Sequence, residues 1–251
     1  MKSLRNNSGA VELSGVTKVF GTDGRQTHAV RNVNLRASPG ELVLLLGPSG
    51  SGKTTLLTLI AGLLMPTSGS ATLFGREIEG YTAGELQRLR ASRLGFVFQT
   101  FLLIDSLTVI ENIALVLRFV GKSKKETRHR ALALLEMLHL EHLAGKFPPT
   151  LSQGEKQRVA IARAIANDAD LVIADEPTAS LETNQGLQII RLLHDYASQQ
   201  RKCVIVASHD LRIAEFADRV LEMRDGQLSE KSSTWQVHPP ESLQATAGYA
   251  T

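Results

Sequence analysis

The chain has 251 residues, of which 43% are hydrophobic and 21% are charged, and its formal net charge is +3. This composition excludes a disordered, collagen-like or disulfide-stabilised protein, and the length is sufficient for a large buried core. The net charge is small and no arginine stripe accompanies it, so we expect no nucleic-acid partner.

The distribution of apolar residues bears on the cellular location of the chain. Residues 1–15 lack the apolar core of a signal peptide, and no apolar stretch approaches the roughly 20 residues that span a bilayer. We therefore expect a cytoplasmic chain that does not insert into the membrane. The single cysteine, Cys203, lies in the apolar run CVIVA and is interpreted as a buried thiol in a reducing compartment.

Strand-like and helix-like segments alternate along the chain, which predicts an α/β fold. The predicted elements, in chain order, are strands at residues 11–19, 29–37 and 41–46, a helix at 54–63, and strands at 94–98, 171–174 and 203–207. The first two strands are predicted to pair in an antiparallel manner. The later strands are short and apolar, so we expect them to form a mostly parallel core sheet.

The segment from about 105 to 150 contains helix signals only. Thr108 with Glu111, and Ser123 with Glu126, have the spacing of capping boxes and mark two helix starts. A helical insertion within the α/β domain follows from this pattern.

The domain boundaries follow from where these patterns begin and end. We predict one domain at 11–228, with the helical insertion at about 100–165, and a C-terminal tail of unknown role at 229–251. The basic segment at 121–130 has two interpretations, a solvated helix start or a surface for lipid headgroups, and the first is favoured.

The segment GPSGSGKT at residues 47–54 fits the phosphate-loop pattern GxxxxGK[ST] and lies between a predicted strand and a predicted helix. In such a loop the backbone N–H groups surround phosphates, Lys53 reaches the outer phosphates and Thr54 offers a hydroxyl to Mg²⁺. The sequence therefore predicts a nucleoside triphosphate site. Its predicted residues are Gly47, Pro48, Ser49, Gly50, Ser51, Gly52, Lys53, Thr54 and Thr55.

Two adjacent carboxylates end the apolar strand in LVIADEP. Asp175 can hold Mg²⁺ and Glu176 can polarise an attacking water. An acidic pair after a strand can also cap a helix, but the phosphate loop favours the metal and base interpretation.

A further helix start precedes that strand, in LSQGEKQRVAIARAIAN. Ser152 and Glu155 form a capping box there, and the simplest interpretation is a well-capped helix. Such an N-terminus, with Gly154 beside Ser152, can also bind an anion through its N–H groups and dipole.

The segment LSQGE resembles the signature motif of ATP-binding cassette (ABC) ATPases, usually LSGGQ, and other motifs follow in that family's order over residues 11–228. Gln99 resembles the Q-loop glutamine, and residues 178–182 resemble the D-loop. His209 resembles the switch histidine, and Phe20 resembles the aromatic residue that stacks on adenine. Each of these three residues has an alternative interpretation. Phe20 could occupy a core position, Gln99 could be a polar residue at a strand end, and His209 could cap a helix.

The resemblance implies a P-loop ABC ATPase core with an antiparallel β subdomain and an inserted helical subdomain. It implies that the chain hydrolyses ATP with Mg²⁺. The implied catalytic residues are Lys53, Glu176 and His209, the implied metal ligands are Thr54, Gln99 and Asp175, and the implied further nucleotide contacts are Phe20, Gln99, Ser152 and Gly154.

The family also implies partners. Two copies are expected to pair head to tail, with each nucleotide between the phosphate loop of one and the signature helix of the other. The segments VFQTFLLIDSLTVIEN and ADEPTASLE resemble the ATPases of lipoprotein-releasing, macrolide-efflux and heterocyst-glycolipid exporters. This implies a separate membrane permease and a place on the inner face of the membrane. An importer, a soluble non-transport ABC ATPase and a metabolite kinase are the alternatives; the signature argues against the kinase.

Three positions depart from the family pattern. Gln153 replaces the first signature glycine, Glu155 the signature glutamine, and Glu182 the D-loop aspartate. The run Phe101 to Leu103 after Gln99 either forms a groove for a permease helix or packs against the helical insertion.

Overall fold

The computed structural model describes residues 9–21 and 25–230. The strands are β1 (Val11–Phe20), β2 (Thr27–Ala37), β3 (Leu42–Leu46), β4 (Ser68–Leu73), β5 (Arg76–Glu77), β6 (Leu94–Val97), β7 (Leu171–Asp175), β8 (Cys203–Ser208), β9 (Arg219–Arg224) and β10 (Gln227–Glu230). The α-helices are α1 (Lys53–Ile60), α2 (Ala83–Arg93), α3 (Val109–Phe119), α4 (Lys124–Met137), α5 (Gln153–Ile165) and α6 (Thr183–Gln200).

The main sheet has the order β10-β9-β3-β8-β7-β6, and its pairs are parallel except at β10. Strands β3 and β8 are buried along their whole length, which explains why they are continuous apolar runs rather than alternating ones. The predicted α/β class and parallel core are confirmed. Cys203 is buried as predicted, and burial raises the pKa of its thiol to about 12.

The second sheet is antiparallel, with the order β2-β1-β4-β5, and the predicted pairing of the first two strands is confirmed. Alternate side chains of β3 enter two different cores. Leu42, Leu44 and Leu46 pack with α3 to α6, whereas Val43 and Leu45 pack with α1 and the antiparallel sheet. The main sheet thus lies between these two layers.

Both predicted capping boxes are present, at the starts of α3 and α4. The segment from 105 to 150 forms α3, α4 and two short 3₁₀ turns, as its helix signals predicted. The boundaries of the domain and of the helical insertion stay predictions. In the described part of the chain, no helix combines the length and apolar character needed to cross a bilayer.

Some predicted boundaries were wrong. Helix α1 ends at Ile60 rather than at 63, because Gly62 takes a left-handed conformation with φ of 61°. Strands β4, β5, β9 and β10 were not predicted, since they are short or polar. Strand β10 reaches Glu230, so the predicted tail begins inside the sheet; residues 231–251 of that tail lie outside the described residues.

Candidate nucleotide site

The phosphate loop connects the buried end of β3 to the start of α1. Gly50 and Gly52 adopt φ of 80° and 105°, and a Cβ on Gly52 would overlap the carbonyl oxygen of Ala29. The first helical bond runs from the Leu56 N–H to the Gly52 carbonyl at 2.9 Å. The N–H groups of residues 53–55 therefore have no acceptor within α1, which leaves them suited to bind phosphate.

Lys53 lies over this loop and is almost completely buried. Its Nζ donates to the carbonyl oxygens of Gly47 at 2.7 Å and Pro48 at 3.1 Å, and lies 3.5 Å from Oε1 of Glu176. The carbonyl contacts fix the direction of the long side chain. Its charge therefore faces the position that a bound phosphate would take.

Thr54 and Asp175 meet across the site, although 121 positions separate them in the chain. The Thr54 hydroxyl donates to Oδ2 of Asp175 at 2.7 Å. Burial raises the pKa of the Asp175 carboxyl, the Thr54 hydrogen bond opposes this shift, and the nearby Glu176 adds to it. The other oxygen, Oδ1, is buried without a hydrogen-bond partner, so this carboxylate has an unused acceptor.

That unused oxygen fits a magnesium ion. Mg²⁺ is usually held by one or two carboxylates together with phosphate oxygens, and Thr54, Asp175 and Gln99 all line the same pocket. In the described ranges, no three His, Cys, Asp or Glu side chains form a metal cluster. We expect the phosphate oxygens of a nucleotide to supply further ligands to the ion.

Glu176 and His209 form the second side-chain pair of the site. Glu176 has a left-handed φ of 48°, which is strained for a residue with a side chain. Its N–H donates to the carbonyl of Ala207 at 2.9 Å, and its Oε2 lies 2.9 Å from Nδ1 of His209. The carboxylate thus lies between Lys53 and His209.

Two alternatives from the sequence are wrong. Asp210, rather than His209, caps the following 3₁₀ helix, by accepting from the N–H of Arg212. Neither Asp175 nor Glu176 caps α6, whose N-cap residue is Glu182 with no side-chain capping bond. Both carboxylates line the pocket, and the histidine contacts Glu176 without lining the pocket itself.

The pocket formed by these elements has a volume of about 430 Å³. Its lining includes Gln99 and residues that sequence reasoning missed, because they come from the antiparallel sheet and the β9–β10 turn. The missed lining residues are Thr27, His28, Ala29, Arg31, Asp225 and Gly226. Hydrogen bonds from the Gly226 N–H to the Ser51 carbonyl and from the Arg31 N–H to the Gly226 carbonyl hold these parts together.

Phe20 lies at the edge of this region. It is 43% exposed, so the core alternative for this residue is wrong. It pairs in register with Thr27, a lining residue, but is not itself part of the lining. Lys18 places its Nζ 5.4 Å from the centre of the Phe20 ring. Contact of Phe20 with adenine stays a prediction.

Ser152 and Gly154 lie elsewhere, in what we call the signature groove. This groove of about 290 Å³ is formed by the end of α4, the start of α5 and α6. Ser152 and Glu155 form a complete capping box, with the Ser152 hydroxyl donating to Oε2 of Glu155 at 2.7 Å. The chain does not bring this helix start to its own phosphate loop. Glu155 is therefore a structural cap as well as a departure from the family pattern.

The three apolar residues after Gln99, which we call the docking loop (Phe101 to Leu103), have divided roles. Leu102 is 54% exposed and lines a groove of about 470 Å³ with Phe98, Val116 and Phe119 among others. We call this the docking groove. Leu103 instead packs against the core shared with α3 to α6. The packing alternative thus holds for Leu103, while Leu102 is exposed at the groove.

A scan against protein families matches the model described as ABC transporter to residues 30–179. HrtA of Staphylococcus haemolyticus, a putative hemin import ATP-binding protein, is 38% identical over 87% of this chain and 99% of its own length. PvdT of Pseudomonas entomophila, a pyoverdine export ATP-binding/permease protein, is 40% identical over 94% of this chain. The chain spans only 36% of the length of PvdT.

A solved structure gives the same result. MJ0796 of Methanocaldococcus jannaschii, an uncharacterized ABC transporter ATP-binding protein, is 40% identical over 88% of this chain and 96% of its own length. Its cassette has been solved as a dimer in a post-hydrolysis state bound to ADP and Pi. The match between the two structures covers 88% of this chain and 97% of the solved chain, with a TM-score of 0.82.

Proposed function

The chain belongs to the ABC transporter family as an ATP-binding ATPase, and from this premise we propose that it powers a separate membrane permease. The observation that carries the proposal is the convergence of Lys53, Asp175 and Glu176 on one pocket from two distant parts of the chain, with His209 in contact with Glu176. A phosphate loop alone would indicate binding. The adjacent carboxylate and histidine supply what hydrolysis requires.

We assign the catalytic roles from these contacts. Lys53 would donate to the outer phosphates, and Glu176 would accept the proton of the attacking water as general base. His209, 2.9 Å from Glu176, would orient that carboxylate and face the γ-phosphate. Thr54, Gln99 and Asp175 would hold Mg²⁺, which when bound neutralises charge on the phosphate oxygens. Most of the catalysis would come from positioning and electrostatics.

We propose that two copies close head to tail around ATP. Support comes from the separation of the signature groove from the phosphate loop, because Ser152 and Gly154 line one pocket and Lys53 lines another, and the two pockets share no lining residue. Symmetric pairing would bring the signature helix of each copy to the phosphate loop of the other. The dimeric structure of MJ0796, bound to ADP and Pi, supports the pairing of two copies.

The proposed direction of transport is export or extraction of a lipid, lipoprotein or hydrophobic compound. PvdT supports export by its name, as do macrolide export ATP-binding/permease proteins such as MacB of Hahella chejuensis, 36% identical over 96% of this chain. HrtA, named as a putative import protein, favours an importer as the second candidate.

The permease would hold the chain at the cytoplasmic face of the membrane. The docking groove supports this, since Leu102 and Phe119 leave apolar surface open to a helix of a partner. Copurification in detergent, followed by identification of the membrane protein bound to the chain, tests the permease. An external domain on that protein, and its number of helices, would separate the exporter from the importer.

Glu176→Gln tests the catalytic assignment. The amide keeps the shape of the side chain but cannot accept a proton, so hydrolysis should fall by a factor of about 10² or more while ATP still binds. With Mg²⁺ and ATP, solution scattering should then detect a dimer of doubled mass. Asp175→Asn is the matched control, because it should lose Mg²⁺ affinity and with it the dimer.

Two results would contradict the proposal. Normal hydrolysis by Glu176→Gln would remove the general-base role. An inactive Glu176→Gln that binds ATP but stays monomeric would remove the head-to-tail dimer.

A further inference from the structure

The docking loop has an unusual backbone. Phe101 and Leu102 adopt φ of 60° and 47°, so two consecutive residues with bulky side chains lie in the left-handed region. This conformation costs roughly 1–2 kcal/mol per residue and persists only where surrounding contacts impose it. The N–H of Leu102 donates to the carbonyl oxygen of Thr100 at 2.6 Å. A hydrogen bond across two residues also forms in turns with negative φ, so it does not by itself select the left-handed form.

A single arginine of α5 supplies that constraint. The guanidinium of Arg163 donates to the carbonyl oxygen of Phe101 at 2.7 Å and also to that of Leu102. One planar group thus holds two successive carbonyls, an arrangement that requires the forked donors of arginine. Arg163 also lines the docking groove, so it lies where a permease helix would bind.

Helix α5 also contacts the segment that follows the proposed general base. Gln157 is fully buried, and its Nε2 donates to the carbonyl of Pro177 at 2.7 Å. Pro177 directly follows Glu176, the strained residue that we assign as general base. The amide of Gln157 therefore anchors the peptide between Pro177 and Thr178, one residue beyond Glu176. Gln157 and Arg163 are six residues apart, about 9 Å along a rigid helix.

We propose that helix α5 links the docking loop to the catalytic turn (residues 175–177), with Arg163 and Gln157 as positioning residues at its two contacts. A permease helix that moves Leu102 would move Arg163 and α5, and α5 would shift Pro177 and Glu176. Because coupling is reciprocal, ATP binding would alter the docking loop through the same contacts. This inference rests on the proposed function, since it concerns how that active site senses its partner.

The test needs no permease and uses the full chain carrying Glu176→Gln, which traps ATP. Amide hydrogen exchange is measured at Phe101 and Leu102 with and without Mg²⁺ and ATP. We expect ATP to change these exchange rates by about fivefold or more, the size of a typical allosteric coupling. Arg163→Lys offers one ammonium in place of the fork, so this change should be lost.

Arg130→Lys is the matched control. Arg130 also donates to a backbone carbonyl at the end of α5, that of the C-cap residue Ala166 at 3.3 Å, rather than to the carbonyls of Phe101 and Leu102. It should keep the full response to ATP. An unchanged response in Arg163→Lys would overturn the proposal. The proposal would also be overturned if the chain with Arg163 intact formed the trapped dimer without any change in the exchange rates of Phe101 and Leu102.

Gln157→Met tests the other contact in the chain with Glu176 intact. Methionine keeps the volume but leaves the Pro177 carbonyl without its donor, so kcat should fall by about tenfold while KM for ATP changes little. A merely structural role would lower the melting temperature and leave kcat of the folded protein unchanged, which would overturn the link. Failure of Glu176→Gln to trap a dimer would instead count against the proposed function.

Discussion

The nucleotide pocket around Lys53 and the signature groove around Ser152 are built in opposite ways. In the pocket, charged groups from distant parts of one chain already touch, and both Glu176 and the loop glycines take left-handed backbone conformations. In the groove, Ser152 is satisfied by its own capping box with Glu155, and the N-terminal half of α5 has ordinary helical geometry.

This difference shows which half of the proposed active site is assembled in advance. The pocket carries strain and opposing charges, features that cost stability and are kept where chemistry requires them. In the groove, Ser152 and Gly154 carry neither a left-handed φ nor a charged side chain, and their contribution would begin only when a second copy brings a phosphate to the helix N-terminus. Variants in the pocket should therefore fail in the single chain, and variants in the groove should fail only when two copies pair.

The largest expected effect is that of Lys53→Ala, which removes the lysine charge from the nucleotide pocket, the half that is assembled in advance. The variant should lose ATP turnover, and its affinity for ATP as a monomer should fall by about tenfold or more, because bound phosphates lose a charged hydrogen-bond donor. Calorimetric titration at low protein concentration measures the binding. Lys125→Ala, at an exposed position of α4 outside both this pocket and the signature groove, should bind and turn over ATP normally. Near-normal turnover by Lys53→Ala would contradict the pocket assignment.

A smaller and more selective effect is expected of Ser152→Ala in the groove. The single chain should bind ATP as before, whereas ATP-driven pairing in the Glu176→Gln background should weaken by about tenfold, since one hydrogen bond to a charged group is lost. Sedimentation velocity with Mg²⁺ and ATP gives the pairing constant.

Ser123→Ala is the matched control for that comparison. Ser123 forms the same capping box at the start of α4, with its hydroxyl donating to Glu126 at 2.6 Å. Both variants should lose a similar amount of folding stability, but Ser123→Ala should pair normally. Equal loss of pairing in the two variants would mean that Ser152 acts only as a cap.

The smallest expected effects come from the two cap carboxylates. Hydrogen bonds from Ser152 and from Ser123 hold the pKa of Glu155 and of Glu126 below 4.5, the ordinary glutamate value. Each ionised cap therefore stabilises the fold above the ordinary pKa, and that stability is lost as the pH falls through the lowered value. Glu155→Gln and Glu126→Gln should each lower the melting temperature slightly at pH 7, with the difference vanishing in acid.

Pairing separates these two variants. A carboxylate at the helix start repels a phosphate, so Glu155→Gln should strengthen ATP-driven pairing by a few-fold at low salt, and the gain should shrink as salt is added. Glu126→Gln should leave pairing unchanged. A decrease in pairing for Glu155→Gln would mean that the capping box is needed to shape the signature groove.

The sequence by itself determined the elements whose signals are local. The phosphate loop follows from eight consecutive residues, the parallel strands from short apolar runs, and the helix starts at Thr108, Ser123 and Ser152 from pairs three positions apart. Each of these patterns is set by the bonding of neighbouring backbone groups, so no knowledge of distant residues is needed to interpret it.

Only the tertiary structure decided which distant groups meet. Nothing local signals that His28 and Asp225 line the pocket or that Arg163 bonds the carbonyls of the docking loop. These contacts depend on the order of the strands and on how helices pack against the sheet, which local periodicity does not encode. The separation of Ser152 from Lys53 has the same origin, since it is fixed by the path of α5 through the core.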